Sequence, residues 1–573
     1  MDTLRKLLNG AILLFAALLP LKFTHSPGAP AVPASYWGDI PSLIFCGWSM
    51  HVFSLAAALL LFFSLLIRPA AGKDGSKKIY LILWGAVCAA SLCGIVNASC
   101  FEYVRQTLDV IFGCACFAAS AVLALDREKN FTRPLLFAAC AGALLSALAG
   151  WDQIFGGLGE TRDFAEKTGL GGEMSGLLQR QLNSDRIFGT FPLCNTFAGY
   201  LAAVLPLAAA AAWLWAKDRF RTQRFARFLC PAAVLIFFAV PLWMTGSRGA
   251  ILSRAAGVFA VLFPLLKSRG ARLVLAGCAA AVFAFFVLLV IFRRGADSAV
   301  FRLDYWLAAF RMMFAHPFAG TGWGDFYHEY PALKLLLNDE LPHSPHNLPL
   351  YFGSQCGMAG FLAALALIVW PLVIAFRRLA GAAPEERLFT AALTASLCVI
   401  TLDSLLEVGI ECPAFAGLMI LLSAAVLHRG GPAEAIRPRY ALPALLPVLA
   451  VIVLASVEIR REAAFADFYE LAHPAFSRDG TGNPPSESDL RSAFEKAREA
   501  VPSNPFVYAE MARRSRDPHE ARLLISQAIR LAPAETGFYR TRIRMGTSPD
   551  ETESDRIRLQ QLDPKGVLVR SRR

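Results

Sequence analysis

Two short segments hold the residues best suited to chemistry. The first is Thr245-Gly-Ser-Arg248-Gly-Ala-Ile-Leu252. A tight turn between two apolar runs puts Arg248 at its apex, where a planar guanidinium can grip a diphosphate through two parallel hydrogen bonds. The Gly246 and Ser247 amides are expected to add donors. An arginine at this level equally suits snorkelling to lipid headgroups. The second segment is Leu341-Pro-His343-Ser-Pro-His346-Asn347, which closes a long connection and opens an apolar run. Loop histidines commonly do nothing, but a neutral imidazole in a pocket at the membrane face suits general-base work on a hydroxyl. Asn347 either orients His346 or caps the helix that begins there. Gly357 and Gly360, beyond it, are expected to allow close helix packing. Arg186 and Arg302 stand near other span ends, and charge at the membrane is costly enough to suggest function.

Other polar residues leave their roles open. Asp403 and Glu407 lie four apart on one helical face. They either neutralise an active-site arginine or position His346, or they are solvated at a helix end. Gly320-Thr-Gly-Trp-Gly324 is similar to phosphate-binding glycine loops but follows no predicted strand, so loop flexibility is the expected reading. His51, His428, His473 and His519 have no partners visible in the sequence and read as structural.

The elements that must position these residues are membrane spans. The chain has 573 residues, 56% hydrophobic and 17% charged, against about 25% charged in a soluble domain. Apolar runs of about 18 or more residues recur along it. They predict thirteen spans, near residues 7–23, 42–67, 79–96, 106–125, 134–151, 191–216, 228–245, 250–266, 273–292, 347–376, 388–408, 412–428 and 440–458. One alternating set of connections is short and basic, from Arg68, Lys77 and Lys78 through Lys217 to Arg227, to Arg377 and Arg378. The positive-inside rule makes that set cytoplasmic, with the N-terminus inside. Loops 152–190 and 293–346, the turn Gly246–Gly249 and everything after residue 459 then fall outside.

The net charge of +12 sits in those short loops, so it sets topology and gives no nucleic-acid face. Thirteen cysteines are scattered through apolar runs with no zinc-ligand spacing. Neither a metal site nor a cofactor is expected. Residues 459–573 are charged, polar and helix-prone. Ala497-Arg-Glu-Ala-Val-Pro502 is echoed by Ala528-Ile-Arg-Leu-Ala-Pro533, Tyr508 by Tyr539 and Pro533 by Pro564, each 31 residues on. Helical pairs at this period look like tetratricopeptide-type repeats, whose usual period is about 34.

His346-Asn347, nine residues, then Gly357-Met-Ala-Gly360, preceded by Arg248-Gly-Ala-Ile-Leu252, resembles the O-antigen ligase family. Arg186-Ile-Phe-Gly-Thr-Phe191 with Asn195, and Phe301-Arg302-Leu-Asp-Tyr-Trp306 leading into His316-Pro-Phe-Ala-Gly320, are similar to it as well. The resemblance covers roughly residues 180–425.

It implies transfer of a glycan from an undecaprenyl-diphosphate-linked donor to an acceptor hydroxyl, without a metal ion, in cell-surface polysaccharide biosynthesis. The acceptor would be a lipid core, a growing glycan or a protein. His346 is then expected as base, with Arg248 and Arg302 on the diphosphate. Arg186, Ser247, Asn347 and His343 would line the substrate site. The expected fold class is all-α: a polytopic transmembrane bundle of 12–13 spans in residues 1–458, in the bacterial inner membrane. A small extracytoplasmic helical domain in residues 459–573 follows, able to recruit a protein partner. Polymerase and protein O-oligosaccharyltransferase activities fit the same chemistry. A transporter of lipid-linked saccharides is the rival from another class, but no repeat relates the two halves and the key residues gather at one face instead of midplane.

Overall fold

A computed structural model describes residues 2–25, 47–67, 70–72, 75–128, 130–167, 183–266, 268–270, 272–274, 276–277, 297–335, 341–407, 409–428, 433–435, 438–473, 486–546 and 548–566. The regular structure of these segments is helical, apart from a three-residue antiparallel pairing of Ala70–Gly72 with Ala433–Ala435.

The membrane part comprises α1 (Asp2–Lys22), α2 (Met50–Leu66), α3 (Gly75–Cys93), α4 (Phe101–Arg127) and α5 (Thr132–Asp152). After a short α6 (Leu158–Lys167) come α7 (Cys194–Arg219), α8 (Arg224–Met244) and α9 (Arg248–Leu265). The long connection that follows carries α10 (Asp297–Ala315) and α11 (Phe326–Leu333). Then come α12 (Leu348–Ala380), α13 (Arg387–Ser404), α14 (Pro413–Leu427) and α15 (Pro438–Ala472). Among the described residues nine helices are long and apolar enough to cross a membrane, and α2 and α14 are shorter apolar helices. The eighth predicted span coincides with α9. The ninth, 273–292, lies outside the described residues from 278 onward.

Small residues let these helices approach closely, as lipid-embedded packing requires. A Cβ on Gly142 of α5 would meet the Ala17 carbonyl at 2.0 Å, and one on Gly199 of α7 would meet the Asp403 carboxylate at 2.0 Å. Asp403 is therefore buried between α7 and α13 and not solvated.

The glycine run 320–324 departs from the flexibility expected of it. Gly320, Gly322 and Gly324 all have positive φ, and a Cβ on any of them would strike neighbouring atoms within 2.2–2.7 Å. The Thr321 amide donates to the Ser354 carbonyl at 2.8 Å, the Trp323 amide to Gly94 at 3.1 Å and the Trp323 indole to Ser91 at 2.8 Å. These glycines exist so that the loop can lie against α12 and the end of α3. Gly357, at φ 80° within α12, does the converse: it breaks the helix where the Pro317 carbonyl accepts the Met358 amide at 2.7 Å. It packs on that loop and not on another helix.

The tail repeats its backbone with the period seen in the sequence. Helices α16 (Glu487–Ala500), α18 (Pro518–Leu531) and α20 (Pro549–Leu562) alternate with α17 (Pro505–Arg514) and α19 (Thr536–Arg544). The Tyr508 hydroxyl donates to the Pro502 carbonyl at 3.0 Å, and Tyr539 to Pro533 at 2.9 Å. The expected domain boundary at 458 falls within α15, which continues through Ala472. Arg105 of α4 joins α15 to the tail, pairing with Glu458 at 2.8 Å and donating to Ser503 at 3.2 Å.

A second contact fixes the tail to α11. His328 has one ring nitrogen 2.9 Å from Asp325 and the other 3.4 Å from Glu535 of the tail. Burial alone would lower its pKa, but the two carboxylates outweigh that and raise it to about 9. A raised pKa stabilises the docked state fully below the ordinary value near 6.5, and that contribution is lost as pH rises through about 9. Hydrogen exchange of residues 505–544 should therefore quicken between pH 6.5 and 9.5 beyond the intrinsic rate, and His328→Gln should abolish that extra change. A tail equally protected at both pH values in the unaltered protein would contradict the latch.

Candidate functional site

Five chain segments converge at the end of the bundle where α7, α9 and α12 begin and α8 and α13 end. The first leads into α7. Gln153 pins it by accepting from the Phe188 and Gly189 amides, both at 2.9 Å. This aims Arg186 at the α8–α9 turn. There its Nε donates to the Thr245 carbonyl at 2.6 Å and its Nη2 to Asn195 Oδ1 at 2.7 Å.

The turn itself uses Gly246 at φ 63°. Both amides expected to serve a ligand are engaged within the turn: Gly246 donates to the Trp243 carbonyl at 3.0 Å and Ser247 to the Thr245 hydroxyl at 3.2 Å. The Ser247 hydroxyl is buried and caps α9 through the Ala250 amide at 3.4 Å. Ser247 thus builds the turn that presents Arg248, which is exposed at the first position of α9.

The third segment is α10, whose Arg302 donates through Nε to the Leu406 carbonyl at 2.7 Å and through Nη2 to Glu407. The fourth is His346-Asn347. Asn347 caps α12, its Oδ1 accepting the Leu350 amide at 3.1 Å while its Nδ2 donates to the Leu405 carbonyl at 2.9 Å. Asn347 and Arg302 together satisfy carbonyls just past the end of α13, where a helix leaves them unpaired. His346 adopts φ 52°, the one non-glycine with positive φ among the described residues. Such a conformation costs about 1–3 kcal/mol and gathers at functional sites.

Glu407, just past α13, joins the segments. Its Oε1 accepts from Asn195 Nδ2 at 2.9 Å and from Arg302, and its Oε2 lies 3.6 Å from His346 Nδ1. That last separation is too long for a direct hydrogen bond. A carboxylate facing Nδ1 favours the proton there and leaves Nε2 as the basic nitrogen. The His346 side chain is 30% exposed and reachable, and the Tyr305 ring lies 5.8 Å from it. A chain of contacts therefore runs from the Arg248 turn through Arg186, Asn195 and Glu407 to Arg302 and His346. His343 is outside it, stacked on Tyr327 with centroids 4.5 Å apart. Asn195, which the sequence offered only as part of a family-like segment, and Glu407, one of its two carboxylates with an open role, are the connectors.

An apolar groove of about 340 Å³ leads away from the turn between α8 and α9, walled by Val240, Trp243, Ile251 and Arg254. Several histidines without visible partners in the sequence have them in space. His51 lies 2.8 Å from Asp109, His473 lies 3.1 Å from Glu510, and His428 sits beside Lys77 and Asp126.

No curated protein matches the chain. Residues 231–365 match the family described as O-antigen ligase, a stretch that holds Arg248, Arg302 and His346 but not Arg186, Asn195 or Glu407. The match supports a glycosyl-transferring role of the membrane glycan ligase or polymerase type. Residues 231–365 are thus similar to the O-antigen ligase family, and they sit in a chain whose described residues hold nine helices long and apolar enough to cross a membrane.

Proposed function

We propose that the protein transfers a glycan from an undecaprenyl-diphosphate-linked donor to an acceptor hydroxyl at the extracytoplasmic face of the inner membrane. The observation that supports this most is the convergence of His346 with Arg186, Arg302 and the Arg248 turn about Glu407. The hydroxyl gives its proton to His346 Nε2 as its oxygen attacks the anomeric carbon. The bond from that carbon to the diphosphate breaks, and its electron pair leaves on the diphosphate oxygen. Arg248 and Arg302 face the charge that develops there, with Arg186 behind the turn, and such preorganised cations lower the barrier most. The groove between α8 and α9 suits the polyprenyl chain. The tail, on the same side as His346, forms the extracytoplasmic domain of residues 459–573 and offers the acceptor or a protein partner its surface.

Purified protein in liposomes, given lipid-linked glycan and a hydroxyl acceptor, should yield a new glycosidic bond and one lipid diphosphate per glycan. Arg248→Lys keeps the charge but loses the planar fork. It should raise the donor concentration needed for half-maximal rate by roughly tenfold, the worth of one charge-assisted hydrogen bond. Donor crossing the bilayer with no new bond formed would replace this reading with the transporter.

A further inference from the structure

A second site lies at the opposite end of the bundle. Arg378 is roughly thirty residues beyond the start of α12, about 45 Å at the helical rise. That exceeds the roughly 30 Å hydrocarbon core, so Arg378 and His346 belong to opposite interfaces. At the Arg378 end a cavity of about 670 Å³ opens between the α4–α5 connection, the end of α12, the start of α13 and the end of α14.

The walls of this cavity combine fixed cations with apolar surface. Arg378 lines it and is anchored through Nη1 to the carbonyls of Ala425 (3.1 Å) and Val426 (2.5 Å). Arg133 lies over the Phe389 ring at 5.4 Å, and both residues line the cavity. Glu386 is the carboxylate on the wall, so two guanidiniums face one acid. Phe137 and Leu393 supply apolar surface.

His428 makes the wall specific for an acceptor. It is 6% exposed, and its Nδ1 lies 3.1 Å from Lys77 Nζ, which also contacts Asp126. Asp126 also lies 3.5 Å from this nitrogen, but the ammonium is nearer and can only donate, so Nδ1 accepts and the proton sits on Nε2. That buried Nε2 has no hydrogen-bond partner among the described residues. Buried donors are almost always paired, and a buried N–H in the wall of a cavity bearing two arginines calls for an anion.

We propose that this cavity binds the phosphate of an anionic membrane lipid, held by Arg133, Arg378 and the His428 Nε2–H, with the glycerol and upper acyl chains against Phe137 and Leu393. The apolar wall favours a lipid phosphate over free phosphate. The site is remote from His346 and does not depend on the proposed transfer chemistry.

Equilibrium binding of labelled dioctanoyl phosphatidylglycerol to the delipidated full-length protein in detergent tests it, with binding and not transfer as the readout. One saturable site per chain is expected. Arg133→Gln, a change at an exposed residue, and His428→Phe, which keeps a ring in place, should each weaken binding roughly tenfold, as loss of a bond to a charged group does. Dioctanoylglycerol, which lacks phosphate, should not compete, and inorganic phosphate should compete far more weakly than the lipid. Unchanged affinity in Arg133→Gln overturns the proposal even where His428→Phe fails to fold. Equal competition by dioctanoylglycerol also overturns it, and inorganic phosphate binding as well as the lipid overturns the lipid assignment.

Discussion

Glu407→Ala is expected to cost the protein both stability and transfer. Its carboxylate receives Arg302 and Asn195 and faces His346. The Arg302 and Glu407 side chains are 16% and 11% exposed. Removing one partner of a buried ion pair strands the other charge and costs about 3–5 kcal/mol. Residual solvent at this pair puts the loss near the lower figure, read as a lower melting temperature in detergent. The loss of transfer has a separate cause, since His346 and the Asn195–Arg186 link lose their common anchor.

The double replacement Arg302→Met with Glu407→Met separates the two effects. It leaves no stranded charge, so melting should return toward that of the unaltered protein while transfer stays lost. Recovery of transfer in the double variant would make the pair structural. Normal melting and transfer in Glu407→Ala would remove Glu407 from the site.

The membrane bundle was legible because its signal is local. Span length and loop charge are read within windows of twenty residues, and α1, α7, α12 and α13 lie where those windows put them. Helical turns that project into water lack this signal. The first turn of α4 and the turns of α15 beyond residue 458 were therefore missed, though the first carries Arg105, which pairs with Glu458 at the end of the predicted span and seats the tail. The 31-residue period of the tail was legible because it repeats. Arg248, Arg302 and His346 stood out as costly charges and polar groups at span ends. The connection among them did not, because it is made across the chain: Glu407 meets Arg302 over 105 residues and Asn195 over 212. Glycines 320–324 were ambiguous for a physical reason, since the same residue serves a loose loop and a backbone pressed against a neighbour.

The largest catalytic effect is expected at His346. General-base catalysis contributes typically 10²–10⁴-fold, so His346→Ala should lose transfer by about that factor while donor still binds. Its backbone complicates the alanine variant: at φ 52° an alanine is strained, whereas asparagine tolerates the left-handed region. His346→Asn therefore keeps the local fold and removes the base. Both variants should be inactive, and His346→Asn should melt close to the unaltered protein. His343, stacked on Tyr327 and outside the Glu407 network, is the internal comparison.

The most direct test is glycan transfer from a lipid-linked donor to a hydroxyl acceptor, measured in membranes with matched amounts of inserted protein, for His346→Asn beside His343→Ala. The account predicts transfer lost in His346→Asn, with donor binding intact, and largely kept in His343→Ala. Normal transfer by His346→Asn, or loss confined to His343→Ala, would contradict it.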